Sequence, residues 1–189
     1  MASGDGSCLM VDAVPVDALS QSCDLHQRVA ELYETHRNGI YRFLVGQGLN
    51  PAVAQEVTQD VFVDLFLALQ KGTSLQSEQR WLYVVAGRAA VDYWRHERGA
   101  VWVELDLQSA ANAFCSREPT PEIQAAKKEQ WVCIAGTLSR LPKEQRLAVQ
   151  LRIKGLRYRE IAAILNVSKS TAADWVSTAV ERLRGDLND

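Results

Sequence analysis

The sequence predicts an all-α protein of two small helical domains joined by a flexible linker. Three observations carry this expectation. Apolar residues recur at helical spacing in two separate stretches, 26–98 and 124–189. The connector between them, 99–123, has no clear period and contains Gly99, Pro119 and Pro121. The formal charge of −2 is unevenly spread, at −4 over residues 1–27, 0 over 28–98, −3 over 99–123 and +5 over 124–189.

Composition narrows the class. Apolar residues at 47% and charged ones at 23% describe an ordinary globular protein. No apolar run approaches the roughly eighteen residues needed to span a bilayer. The first residues lack a basic segment followed by an apolar core, so no signal peptide is expected. Residues 1–25, rich in Ser, Asp and Gly, read as a disordered acidic tail. Cys8, Cys23, Cys115 and Cys133 form no CxxC pair, and with His26, His36 and His96 they suggest neither a zinc site nor a disulfide framework. A reducing cytoplasm suits such cysteines. No Ser/His/Asp grouping, phosphate loop or metal-ligand spacing stands out, so the expectation is a non-enzyme with no cofactor, no metal and no small-molecule substrate.

In the first block, Val29, Leu32, Tyr33, Ile40, Phe43 and Leu44 predict a helix from about His26 to Gly48. Asn50-Pro51 is a cap-and-start signal for a second helix, which carries Val53, Val57, Val61, Phe62, Leu65, Phe66 and Leu69 and stops near Gly72. Its polar side, Gln55, Glu56, Gln59, Asp60 and Asp64, holds no base before Lys71. An acidic face repels DNA, which leaves a solvated surface or a dock for a basic protein. After a polar loop, a third helix interleaves Trp81, Tyr83, Tyr93 and Trp94 with Arg80, Arg88, Arg95 and Arg98. Single-stranded nucleic acid suits that pattern, because bases stack on aromatic rings while cations hold phosphates. Trp81 and Leu82, at the helix start, are expected to pack inward.

The second block reads as a helix-turn-helix, which places one helix in the DNA major groove. Pro142 suits a first helical turn, Leu147, Val149, Leu151 and Ile153 are apolar, and Gly155 is placed to end the helix. A short helix from Tyr158 to Leu165 follows, with Ile161, Ala162, Ile164 and Leu165 inward. Asn166 takes the turn, where a left-handed conformation is needed and Asn tolerates it. Ser168 caps a last helix to about Arg184, with Ala172, Val176, Ala179, Val180 and Leu183 as its buried stripe. The +5 charge coincides with this block, as phosphate binding requires. The acidic remainder predicts weak DNA affinity without a larger partner.

Together the blocks resemble a known family. Leu32-Tyr33, Ile40-Tyr41-Arg42, Gln59-Asp60-Val61-Phe62, Trp81-Leu82-Tyr83, Ala86 and Asp92 stand in the order of region 2 of bacterial sigma factors, and Leu141-Pro142 through Thr171 resembles region 4. Nothing between them resembles region 3, so the chain is similar to the extracytoplasmic-function group of the sigma-70 family. The resemblance spans about 28–98 and 124–185. It implies a subunit that binds core RNA polymerase and directs promoter-specific initiation, with Glu56, Gln59, Asp60 and Asp64 on the clamp helices of the largest subunit. Arg80, Tyr83, Arg88, Tyr93, Trp94, Arg95 and Arg98 would capture and melt the minus-ten element. Arg157, Arg159, Ser168, Lys169, Ser170, Thr171, Asp174, Trp175, Thr178 and Arg182 would bind the minus-thirty-five element. The connector would thread through the polymerase channels. Such factors are commonly held by an anti-sigma factor, often membrane-anchored.

The chain departs from the family pattern at Val84, where a base is usual, and at Arg88, where an Asn is frequent. Its recognition helix carries Ala172-Ala173-Asp174-Trp175 where basic residues are common. Asp174 can accept from a cytosine N4 or stay solvated, and Thr171 or Thr178 can bond a base or touch a thymine methyl. Two other functions compete: a helix-turn-helix regulator without polymerase docking, and an inactive sigma-like interaction protein.

Overall fold

The computed structural model describes residues 16–96 and 136–188, and all regular structure among them is helical. The helices are α1 (Val16–Gly46), α2 (Pro51–Gln70), α3 (Glu78–His96), α4 (Lys143–Ile153), α5 (Tyr158–Leu165) and α6 (Lys169–Asn188). Residues 136–140 are also helical and lead into α4. The connector 99–123, the start of the tail and Arg98 lie outside the described residues.

Helix α1 begins at Val16, about ten residues ahead of the start expected from apolar spacing, so residues 16–25 are helical rather than part of a tail. Its C-terminal half supplies Ile40, Phe43 and Leu44 to the core. The α1–α2 turn follows its local code. Gly48 takes φ +89°, a region that L side chains avoid, and the Asn50 side chain accepts from the Ala52 N–H at 2.9 Å with Pro51 opening the helix. Val61, Phe62 and Leu65 of α2 are buried, and Tyr33 meets Phe62 edge-on with centroids 5.0 Å apart. Leu82, Ala86 and Ala90 of α3 close this first module.

The second module follows its signals to within a residue. Pro142 is the N-cap of α4, one position before the first-turn place expected, and Gly155 at φ +87° ends the following turn. Asn166 adopts φ 56°, ψ 48° at the end of α5. Ser168 Oγ accepts from the Thr171 N–H at 3.0 Å and caps α6, which runs to Asn188 instead of Arg184. Ala172, Val176 and Ala179 are buried, whereas Val180 and Leu183 only line the edge. Ile153 is not core at all: it is 65% exposed, while Arg146 and Gln150 of the same helix are buried. That inversion has a cause, because α4 packs on two partners, α6 behind and the first module in front.

The two modules pack against each other. Helix α3 contacts both α4 and α5, and apolar side chains of both modules form one contiguous core. The seam is close at Gly87, where a Cβ would stand in van der Waals contact, 3.4 Å from Leu151 Cδ2 and Ile164 Cγ2, leaving no room for a larger side chain.

Candidate nucleic-acid interface

Three surfaces carry the candidate residues. The first is the outer face of α2. Glu56, Gln59, Asp60 and Asp64 are all exposed, at helical spacing along one side. Val63 (56% exposed) and Leu67 (41% exposed) continue the same side, a detail the acidic pattern had hidden. Their signal was available, because Val63 lies three residues after Asp60 and Leu67 seven, offsets that place both on its stripe. An acidic stripe with exposed aliphatics is suited to a protein surface with basic rims, not to phosphate. Beside it lies a cleft of about 220 Å³ between α1 and α2, lined by Tyr33, Arg37, Asn38, Tyr41, Gln55, Thr58 and Gln59.

The second surface is α3, and here the structure corrects the sequence reading. The helix has three faces. Leu82, Ala86 and Ala90 face into the first module. Arg88 and Arg95 are exposed, with Arg95 paired to Asp92 at 3.0 Å, and Tyr93 is half-buried. Arg80, Tyr83, Gly87 and Trp94, spaced at one side of the helix, meet the second module. Tyr83 is 3% exposed, edge-on to Phe43 at 5.3 Å, with Lys154 Nζ 5.0 Å from its ring centroid. Burial pushes its phenol up to about 12. In this arrangement Tyr83 is core and not a stacking platform. Arg80 is engaged by Glu160, one guanidinium nitrogen lying 2.6 Å from both carboxylate oxygens. Trp94 donates to the Gln47 carbonyl at 3.1 Å, and Lys143 Nζ lies 5.2 Å from its ring centroid. Trp81, expected to pack inward, is only half-buried, while Leu82 is fully buried.

The third surface is the helix-turn-helix. Arg152, Arg157, Tyr158, Arg159 and Lys169 line a cleft of about 410 Å³ where α4, α5 and the start of α6 converge. Four cations around one concavity suit a phosphate backbone. Two of these residues, Arg152 and Tyr158, were missed from sequence. The Arg152 guanidinium lies 4.9 Å from the Tyr158 ring centroid and donates to the Leu156 carbonyl at 3.0 Å, so the Gly155 turn folds the side chain back into the cleft. The Arg157 N–H donates to Glu160 Oε2 at 2.6 Å. Burial acts to raise the Glu160 carboxyl, but the Arg80 side-chain hydrogen bond, then the Arg157 N–H and the charges of both arginines, together outweigh it and hold the group below its usual range. Ser168 Oγ lies 2.8 Å from both Ser170 Oγ and Thr171 Oγ1, so these hydroxyls form a linked cluster at the α6 N-terminus.

Along α6, Lys169, Ser170, Asp174 and Arg182 are exposed. Trp175 packs against the core and is half-buried, and Thr178 is half-buried too, because each stands just before an inward position of the stripe, Val176 and Ala179. Each therefore shows only part of its side chain on the outer face of α6. Ser177, at the same offset as Asp174, is exposed in their place.

Family comparison accounts for both modules. Residues 32–99 match the model described as "Sigma-70 region 2", and residues 131–183 match "Sigma-70, region 4". The chain belongs to the sigma-70 family. It is an extracytoplasmic-function type sigma factor, the RNA polymerase subunit that directs transcription initiation. It is 27% identical over 161 residues to the ECF RNA polymerase sigma factor SigM of Bacillus subtilis, covering 85% of this chain and 95% of that one. It is 28% identical over 153 residues to the ferric citrate uptake sigma factor FecI of Escherichia coli, at 79% and 85% coverage. The ECF RNA polymerase sigma-E factor of Escherichia coli is 27% identical over 134 residues, at 68% and 70% coverage. No described helix of this sigma factor is long and apolar enough to cross a membrane, and no three described His, Cys, Asp or Glu side chains group to hold a metal.

Proposed function

We propose that this sigma factor joins core polymerase to promoter DNA by dividing the task among its three surfaces. The α2 stripe of Glu56, Gln59, Asp60, Asp64, Val63 and Leu67 docks on the clamp helices of the largest polymerase subunit. The α3 arginines Arg88 and Arg95, joined by Arg80, Trp94 and Tyr93, capture the minus-ten element, and Arg98 falls beyond the described part of that surface. The cleft of Arg152, Arg157, Arg159 and Lys169 holds the phosphates of the minus-thirty-five element, while Ser170, Thr171, Asp174 and Ser177 face its bases. Residues 99–123 serve as the tether between domains 26–98 and 124–189. The protein acts in the cytoplasm, performs no chemistry of its own, and is held in check by an anti-sigma factor.

The observation that carries this reading is the separation of charge: an acidic, partly apolar face on one module and a four-cation cleft on the other. Minus-ten melting proceeds without a chemical energy source if flipped bases are held by protein, since stacking contributes roughly 1–3 kcal/mol per base. The test is the affinity of Asp60→Lys for core polymerase by fluorescence anisotropy. The substitution is at an exposed helix position, so the thermal melt is expected to stay within about 0.5 kcal/mol of wild type while binding weakens about tenfold. Equal affinity of the two proteins removes the docking assignment.

A further inference from the structure

The outer face of α6 is not what a helix seeking phosphate alone would present. Ser170, Asp174, Ser177 and Glu181 are exposed and stand four, three and four residues apart, which makes them one row along the helix. The row holds two carboxylates, two hydroxyls and no cation. Exposed cations stand only at its ends, Lys169 at the start and Arg182 and Arg184 at the finish. Among the described residues, no cation pairs with the Asp174 carboxylate. From this row we infer that Asp174 is the specificity-determining residue for the minus-thirty-five element: it accepts from a cytosine N4 amino group in the major groove and so selects a C·G pair at one position. The inference rests on the sigma reading above and deepens it, from where the helix lies to which base it demands.

The cations fix how the row is placed. Lys169 belongs to the cleft with Arg152, Arg157 and Arg159, the place for a run of phosphates. Lys169 and Arg182 stand about 20 Å apart along the helix axis, at roughly 1.5 Å per residue. The major groove is about 12 Å wide. A helix seated with its first turns in the groove therefore sets Lys169 and its cleft against one backbone and leaves Arg182 and Arg184 for phosphates beyond. Asp174 and Ser177 then face the base edges in between.

Hydrogen-bond chemistry then names the base. An ionised carboxylate only accepts. In the major groove the donors are cytosine N4 and adenine N6, whereas guanine and thymine present acceptors. Adenine sets its N7 acceptor beside the N6 donor, so a carboxylate there gains one bond and meets one repulsion. Cytosine carries no acceptor on its own edge. A wrong pair strips water from Asp174 and returns no donor, so discrimination comes from the penalty as well as from the bond. The row has no arginine or lysine to grip guanine O6 and N7, and guanine is therefore selected only through its paired cytosine. The Ser170 hydroxyl is engaged by Ser168, which leaves Ser177 to donate to the guanine or to a neighbouring pair.

In the experiment, core polymerase carrying the full chain as wild type, Asp174→Asn or Asp174→Ala is given duplex DNA with a random central stretch, and the bound duplexes are sequenced. Wild type should enrich an upstream element with one fixed cytosine. Asp174→Asn presents an amide, the partner of adenine N6 and N7, and should turn that one position to adenine while the rest of the element stays as it was. Asp174→Ala should lose the preference there alone. On four duplexes that differ only at that pair, wild type should bind the cytosine form at least about fivefold tighter than the others, and Asp174→Ala should bind all four within about twofold. The position is exposed, so the three chains should share one thermal melt. A carboxylate that merely repels phosphate gives a different outcome: both variants bind every sequence more tightly and select the same element as wild type. That result, or a wild-type element without a fixed cytosine, overturns the assignment. Core polymerase selecting the same DNA with and without the wild-type chain rejects the sigma reading itself, a failure visible before any variant is compared.

Discussion

Asn166 shows how much one residue can disclose. Its left-handed backbone, φ 56°, sets the angle between the two helices of the DNA-binding unit, and its identity alone suggested that geometry from the sequence. Asn166→Val should destabilise the protein by about 1–2 kcal/mol and Asn166→Gly should be tolerated, both measured by thermal unfolding. Tyr83 and Arg146 show the opposite. An aromatic beside arginines looks the same in sequence whether it faces a base or a neighbouring helix, and a buried arginine looks like any cation. Only the meeting of α3 with α4 decides, and that contact joins residues some sixty positions apart. Tyr83 also carries a pH signature. Its folded-state pKa, about 12, lies above the unfolded value near 10, so the folded protein keeps a proton that the unfolded chain loses. Stability is therefore whole below pH 10 and falls from there towards pH 12, by roughly 2 kcal/mol from this group. Tyr83→Phe should flatten that part of the stability curve; an unchanged alkaline slope would place the titration elsewhere.

At the scale of elements, starts and stops were legible because they depend on neighbouring residues. Asn50-Pro51, Gly155 and Ser168 each sit at the cap or turn that their local chemistry favours. Ser168→Ala should lose about 1 kcal/mol through the missing bond to the Thr171 N–H, and should loosen the hydroxyl cluster over the basic cleft. A melting temperature equal to wild type would show that the cap adds nothing. The start of α1 was not read from the sequence, because the Ser and Asp residues of 16–25 resemble the acidic stretch ahead of them, although Val16, Leu19 and Cys23 stand at helical spacing. The basic cleft was half legible. Arg157, Arg159 and Lys169 are close in sequence, but Arg152 reaches the cleft only because the Gly155 turn brings α4 back over Tyr158. Arg152→Ala should therefore weaken duplex DNA binding and reduce its salt slope by about one, as loss of one phosphate contact requires. A slope unchanged in titrations from low to moderate salt would move Arg152 out of the interface.

Across the whole molecule, two modules of unlike charge, an acidic face on α2 and a cationic cleft at α5–α6, give one chain the means to join an enzyme to a DNA site. The sequence order of these modules, and their family, were readable without coordinates; their mutual packing was not, since helical periodicity reports that a face is buried but not against what. The central claim is that this chain confers promoter selection on polymerase. Its most direct measurement is run-off transcription on a library of genomic fragments, with core polymerase alone and with core plus this protein. Discrete new transcripts that share a minus-ten and a minus-thirty-five element upstream of their starts are the expected result. A transcript profile identical to that of core polymerase alone would contradict it.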